Sequence, residues 1–233
     1  MPGNSKTLAS IGRGLAVGGL HAAEPADEVH RAIAAALRDF RTEAPWGWSF
    51  TQTTISGRRS TAERCDPARP GIARWTLLKK DGMPPTDEER RDYSAGRSRR
   101  GTAPRLAQQF DLTTLEIVTR DAERARARCQ LRPAEPGDRV ASLLLATVDW
   151  HLTAQAITRI ELRSTREFSP TFGVRIAEMS TVMTYSPPKD GRPSLPAAVE
   201  TRVRGRAFLL KSLDEEMRIE FSDYAWAGRT ARP

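Results

Sequence analysis

The chain has 233 residues and a mass of 25.9 kDa, which is enough for one large β domain or two small ones. Hydrophobic residues make up 39% and charged residues 28% of it, so a core can form and wholesale disorder is excluded. The net charge is +8, and five of the 37 basic residues are lysines, which leaves 32 arginines (37 − 5). A basic chain attracts nucleic acid, anionic lipid or acidic protein. These arginines are scattered along the chain rather than clustered, which favours the interpretation that they reflect a GC-rich genome rather than a binding site.

Residues 1–25 resemble a degenerate secretory signal or a disordered tail. Lys6 and Arg13 precede a short apolar run at 15–20, and small residues follow it. This order of charged, apolar and small residues is typical of exported proteins, so we expect a periplasmic location, with a cytoplasmic one as the alternative. No apolar stretch reaches the roughly 20 residues that span a bilayer. We expect one domain over 26–226 and a flexible tail over 227–233.

The first predicted element is an amphipathic helix over 27–41. Val29, Ile33, Leu37 and Phe40 recur at helical spacing, and Pro45 prevents its continuation. A helix with one apolar stripe must pack against another layer, and a sheet is the expected one.

After Pro45 the hydrophobic period changes from helical to two, which indicates strands. Trp46, Trp48 and Phe50 share one face of the first strand. Consecutive strands with short connections imply an antiparallel meander. The predicted strands are 46–53, 60–65, 74–79, 115–120, 121–131, 142–147, 156–162, 174–185, 199–209 and 216–224.

Helix signals also occur between the third and fourth predicted strands. Thr86 and Glu89 form a capping-box pattern, which predicts a helix that runs to about Tyr93. A polar loop is expected over 94–101, and a short helix or turn over 104–110. The segment 121–131 alternates arginine with small residues. Its helix propensity is high, but its period and its neighbours favour a strand.

Motifs for catalysis or metal binding are missing from the sequence. Its three histidines are His21, His30 and His151, and the last is interpreted as a turn residue. Cys65 and Cys129 have no metal-ligand spacing; they are interpreted as unpaired, although a disulfide in an oxidising compartment stays open. We therefore predict a non-enzymatic protein with no cofactor, no metal and no catalytic residue. A hydrolase with a carboxylate pair is a weaker alternative.

The arginines at 97, 99 and 100 and at 124, 126 and 128 are candidates for contacts with nucleic-acid phosphates. Binding of single strands also needs exposed aromatic residues between the cations. Aromatic residues make up only 6% of the chain, and the tryptophans of the first strands lie elsewhere. A nucleic-acid partner is therefore not expected.

The order of elements over about 26–226 resembles the LolA-like family of periplasmic lipoprotein carriers. The resemblance lies in the segment 198–208, in 217–224 with its final Ser-Asp-Tyr, and in 75–78 followed by Asp81-Gly82, Pro85-Thr86 and Tyr93. A long arginine-rich insertion at 86–105 departs from that family. The resemblance implies a mainly β (α+β) fold: an incurved antiparallel half-barrel with an N-terminal amphipathic helix and one or two short helices covering the concave face.

That fold implies a monomer that carries a lipid or an acylated lipoprotein in an apolar groove, without catalytic residues, because each buried CH₂ group of an acyl chain contributes about 0.8 kcal/mol. The alternative is an arginine-rich module that binds a protein or an anionic membrane surface without lipid cargo. The residues predicted to line the groove are Trp48, Phe50, Trp75, Leu77, Leu143, Leu145, Ile160, Leu162, Val174, Ile176, Met217, Ile219 and Phe221.

Overall fold

The structure is a computed structural model that describes residues 25–42, 45, 47–98, 106–133, 137–138, 140–208 and 211–228. The predictions for the signal-like segment, Trp46, Arg99 and Arg100 lie outside these residues.

Strands dominate the described part of the chain. The helices are α1 (Pro25–Arg38), α2 (Asp87–Ser98) and α3 (Leu106–Gln109). The strands are β1 (Trp48–Ser56), β2 (Arg59–Cys65), β3 (Trp75–Lys80), β4 (Phe110–Arg120), β5 (Arg124–Leu131), β6 (Leu144–His151), β7 (Ala156–Ser164), β8 (Val174–Ser186), β9 (Leu195–Ala207), β10 (Lys211–Ser212) and β11 (Glu215–Trp226). Short 3-10 turns, Gly71–Arg74 and Ala141–Leu143, precede β3 and β6.

All the strands belong to one antiparallel sheet, which confirms the mainly β prediction. The spatial order is β3-β2-β1-β11-β9-β8-β7-β6-β5-β4, with the two-residue β10 attached to β9. The sheet is open and does not close into a barrel.

The predicted meander is correct within two runs of strands and wrong where they join. Strands β1 to β3 pair in sequence, and so do β4 to β9. The join is made by β1 and β11, with Thr54 opposite Ile219 and Gln52 opposite Phe221. Because of this pairing β3 and β4, which are consecutive in the chain, form the two opposite edges of the sheet.

Helix α1 packs on one face of the sheet, which we call the inner face. Ile33 and Leu37 of α1 are fully buried, together with Ala127, Val148 and Ile160 of three neighbouring strands. The predicted apolar stripe of this helix is thus confirmed. His30 fixes the helix further, because its Nε2 lies 3.0 Å from the Leu115 carbonyl oxygen.

The short helix predicted over 104–110 is confirmed as α3, whereas α2 is longer than predicted. The capping box is present: the Thr86 N–H donates to the Glu89 carboxylate at 2.9 Å, and the Glu89 N–H donates to Thr86 Oγ1 at 3.2 Å. However, α2 continues to Ser98, so the first half of the predicted polar loop is helical. Helix α1 covers most of the core on the inner face, and Leu106 of the short helix α3 packs against the same core.

The alternating segment 121–131 forms strand β5, as its period indicated. Residues of β5 are exposed and buried in strict alternation. Ala125, Ala127 and Cys129 point into the core under α1, while Arg126 and Arg128 lie on the opposite face, which we call the outer face. Tertiary burial thus outweighs the high helix propensity of alanine and arginine.

Both edges carry features that discourage pairing with another sheet. Strand β3 is short and ends in Lys79 and Lys80, and β4 has two irregularities in its pairing with β5, between Asp111 and Glu116 and between Ile117 and Thr119. Lysines and bulges are common protections of exposed strand edges.

Candidate functional site

The inner face has two halves that differ in how well they are covered. In the covered half, formed by β4 to β8, α1 fills the face, and Val148, Ile160 and Met183 are buried beneath it. In the open half, formed by β9, β11, β1, β2 and β3, the inner side chains of the central strands are only half-buried. They include Val203, Met217, Ile219 and Phe221, whereas Val199 packs against the edge of the covered core.

An aromatic cluster lies in the open half, around Phe50. The Phe50 ring centroid is 5.6 Å from that of Trp75, 5.7 Å from that of Phe221 and 5.7 Å from that of Tyr224. Phe50 itself is buried, as is Leu77 on β3. Three residues predicted for the groove therefore meet in one cluster, and sequence reasoning missed the fourth member, Tyr224.

The open half also buries a carboxylate. Glu63 is only 5% exposed, and Gln52 Nε2 donates a hydrogen bond to its Oε2 at 3.2 Å. Glu63 stands opposite Leu77 and Gln52 on its two neighbouring strands. A buried carboxylate is costly unless hydrogen bonds compensate it, and the Gln52 amide supplies one such bond.

A pocket, which we call the end pocket, opens where α1 ends above β6 to β9. Its volume is about 420 Å³, within the range of small-molecule sites. The lining residues come from α1 and the segment after it, the β6–β7 turn and the β8–β9 connection: Ala36, Asp39, Phe40, Arg41, Pro45, Trp150, Gln155, Ala156, Ile157, Tyr185, Pro188, Ser194 and Pro196.

Aromatic rings form the rigid wall of the end pocket and connect it to the Phe50 cluster. The Phe40 ring meets Tyr185 at 5.5 Å and Phe110 at 6.0 Å, both edge-on. Tyr224, which contacts Phe50, donates its hydroxyl to the Pro196 carbonyl at 2.7 Å. Because Pro196 lines the pocket, one residue bridges the pocket and the cluster.

Two hydrogen-bond donors lie among the aromatic rings of this wall, and Asp39, Arg41, Gln155 and Ser194 add polar groups elsewhere in the lining. Among the described residues, neither the Tyr185 hydroxyl nor the Trp150 indole N–H has a hydrogen-bond partner. Burial, with a smaller contribution from Tyr224, raises the pKa of the Tyr185 hydroxyl, so the phenol stays protonated and able to donate. An apolar cavity with a few donors can hold an apolar chain and orient one acceptor group.

The remaining predicted groove residues do not share one site. Ile160 and Leu162 belong to the core under α1. Met217 and Ile219 lie half-buried on the inner face of β11. Val174 and Ile176 stand opposite Ala207 and Gly205 at the far end of the sheet.

Three predicted groove positions lie away from the inner face proper. Leu143 is in a 3-10 turn, and Leu145 is on the outer face, because its neighbour Ala146 is the one that packs in the core. Trp48 sits at the end of the sheet, with its ring 5.6 Å from Trp226 and the Arg192 guanidinium 5.5 Å from its centre.

The outer face carries a ladder of alternating arginines and carboxylates. Examples are Arg126 with Asp149 at 2.6 Å, Arg159 with Glu161 at 2.7 Å and Arg163 with Glu178 at 2.8 Å. A shallow polar depression of about 520 Å³ lies among these pairs. Neighbouring carboxylates therefore neutralise many of the strand arginines that gave the chain its basic character.

The two cysteines are buried in the sheet, and the last histidine lies at a turn. Cys65 and Cys129 are both buried, on β2 and β5, and form no disulfide with each other. Burial raises the pKa of the Cys129 thiol to about 11. His151 Nδ1 accepts a hydrogen bond from the Ala154 N–H at 3.2 Å in the β6–β7 turn, in agreement with its interpretation as a turn residue.

Within the described ranges, no three His, Cys, Asp or Glu side chains are grouped as metal ligands. Across the same ranges, no helix combines the length and the apolar character needed to cross a membrane. Comparison of the chain with protein-family models, with curated proteins and with solved structures found no match.

Proposed function

We propose that the protein binds a lipid or an acylated partner without chemical turnover, with an acyl chain in the end pocket that extends toward the half-buried inner face of the open half. The carrier-like role and the periplasmic location implied by the LolA-like resemblance are part of this proposal. The observation that carries it is the aromatic end pocket, which Tyr224 joins to the Phe50 cluster.

The chemistry of the wall fits such a ligand. Phe40, Ile157 and Pro196 offer apolar surface, and burying apolar area supports binding without a catalytic group. The free donors of Tyr185 and Trp150 are suited to a carbonyl or carboxylate oxygen at the head of the chain. Both Arg41 and Asp39 line the same pocket, so an anionic head group is expected to bind on the Arg41 side.

The alternative that uses the strand arginines for anion binding has weaker support. The arginines of β5, β7 and β9 face carboxylates across the strands. An anion on this face must displace those carboxylates or bind beside them, so the attraction is largely cancelled.

Blocking the end pocket provides the direct test. Ala36 lines the pocket and Ala35, its neighbour on α1, is exposed and does not line it. We expect Ala36→Phe to fill the cavity and weaken binding of a fluorescent fatty acid at least about tenfold, since such a loss equals the burial of two methylene groups. Ala35→Phe is the matched control and should bind like the parent chain.

The identity of the ligand follows from native mass spectrometry of protein purified from a bacterial host, with lipid extraction of the same sample. Near-stoichiometric phospholipid or acylated peptide supports the proposal. A ligand-free mass together with equal fatty-acid binding by both phenylalanine variants would refute it. Tyr185→Phe refines the result: a loss of affinity of about fivefold indicates a hydrogen bond from the hydroxyl to the ligand.

A further inference from the structure

Two phenylalanines project into solvent at the end of the sheet opposite the end pocket. Phe172, in the β7–β8 connection, is 94% exposed, and Phe208, directly after β9, is 70% exposed. Strands β8 and β9 pair along their whole length, and Val174 stands opposite Ala207, so the two loops are neighbours. The rise of a strand places them about 35 Å from Tyr185.

The backbone holds Phe208 in this exposed position at a conformational cost. Its φ is +47°, in the left-handed region that bulky residues rarely adopt. The Phe208 N–H donates to the Gly173 carbonyl at 2.7 Å, and the ring lies against Gly173, where a Cβ atom would be 2.6 Å from the ring edge. Unfavourable backbone geometry maintained by surrounding contacts is characteristic of functional positions.

Basic residues lie at the same end of the sheet as the two rings, and Arg206 lines one depression with Phe208, together with the carboxylates of Glu167 and Asp214. Arg175 and Arg206 stand directly opposite each other on β8 and β9, an arrangement of like charges that destabilises a sheet. Glu167 neutralises Arg175. Among the described residues Arg206 and Lys211 form no ion pair, and Lys211 pairs through its backbone with Ala207, next to Phe208.

We propose that Phe172 and Phe208 dock the protein on an anionic phospholipid bilayer, with the rings at the level of the head groups and with Arg206 and Lys211 against lipid phosphates. Exposed aromatic residues beside basic ones are the combination that interfacial membrane binding uses. Basic side chains near a negatively charged leaflet add attraction that weakens with salt. This surface is separate from the end pocket and does not depend on what the pocket holds.

The test is co-sedimentation of the full chain with vesicles of phosphatidylcholine alone and with vesicles of phosphatidylcholine and phosphatidylglycerol in equal amounts. We expect binding to the anionic vesicles that falls as salt rises. Phe172→Ser and Phe208→Gly together should reduce the bound fraction at least about tenfold, because two aromatic side chains no longer insert. The glycine also suits the left-handed backbone, so the variant should melt no earlier than the parent chain.

Met83→Ser is the matched control, since Met83 is 69% exposed in the turn after β3. This variant should sediment like the parent chain, and all variants should bind the fatty acid equally in vesicle-free buffer. Arg206→Glu with Lys211→Glu should remove the preference for anionic vesicles. The proposal is overturned if the parent chain binds neither kind of vesicle, and the expected occupant of this surface is then a protein partner. It is also overturned if the phenylalanine variant binds as well as the parent.

Discussion

The covered and open halves of the inner face are built from the same kind of strand but reach different degrees of burial. In the covered half α1 closes over β4 to β8 and leaves Ile33, Leu37 and Ile160 fully buried. In the open half Met217, Ile219 and Phe221 remain half-buried. The comparison teaches that one helix supplies enough apolar surface to complete a core over half of this sheet, and that the other half keeps apolar surface accessible.

The largest effect expected from this difference is on stability. Leu37→Ala should lower the free energy of unfolding by about 3 kcal/mol, because it leaves a cavity in a closed core. Ile219→Ala in the open half should cost less than about 1 kcal/mol, since solvent already reaches that side chain and less apolar area is lost. Urea unfolding measures both. Equal losses would mean that the two halves are equally well packed.

A rise in pH is expected to have an intermediate effect on stability, because it ionises the buried thiol of Cys129 in the covered half. Burial raises the pKa of Cys129 from 9.0 to about 11. The thiol therefore holds its proton more tightly in the folded state than in the unfolded state. As a result, the thiol leaves the free energy of unfolding unchanged below pH 9 and lowers it as the pH rises from 9 to 11.

Melting temperatures across this range test the effect, with Cys129→Ala as the control. Burial also raises the pKa values of Tyr185 and Tyr224, so both chains should lose stability in alkali. The difference between the two curves isolates the thiol. Parallel curves would show that Cys129 ionises as it does in an unfolded chain.

The smallest effect is expected on the outer face, which the two halves share. Arg126 pairs with Asp149 at 2.6 Å, and its side chain is half exposed. Exposed ion pairs contribute about 0 to 1 kcal/mol, so Arg126→Ala should change the unfolding free energy by about 0.5 kcal/mol and less in high salt. A loss comparable to that of Leu37→Ala would mean that the charge ladder, and not the core, stabilises the sheet.

Local patterns predicted the helices and strands well, because the buried face of each helix or strand gives the sequence a hydrophobic period of its own. The stripe of α1, the capping box at Thr86 and the alternation in β5 each depend on residues close in the chain. A shift of one residue was enough to misplace Leu143 and Leu145. The 3-10 turn Ala141–Leu143 resets the phase, and in a strand a shift of one residue exchanges the faces.

The candidate site was less predictable because it is assembled from distant segments. Phe40, Trp150 and Tyr185 come from a helix end and two strand ends, and each is an ordinary core residue when its own segment is considered. The aromatic cluster was partly predicted, since the period-two patterns of β1 and β3 assigned Phe50 and Trp75 to the groove, but Tyr224 reaches it only through the pairing of β1 with β11. Nothing in the local sequence of either strand specifies that pairing.

The pairing of β1 with β11 also constrains how the chain can fold during synthesis. Strand β11 begins 159 residues after β1 ends (215 − 56), and a ribosome that adds about 5–20 residues per second needs roughly 8–30 s for that length. Throughout this interval the ribbon of β1, β2 and β3 has no neighbour along β1, and the rings of Phe50 and Trp75 lack Phe221 and Tyr224. Nascent chains should therefore depend on chaperones until the last strand emerges and joins the first.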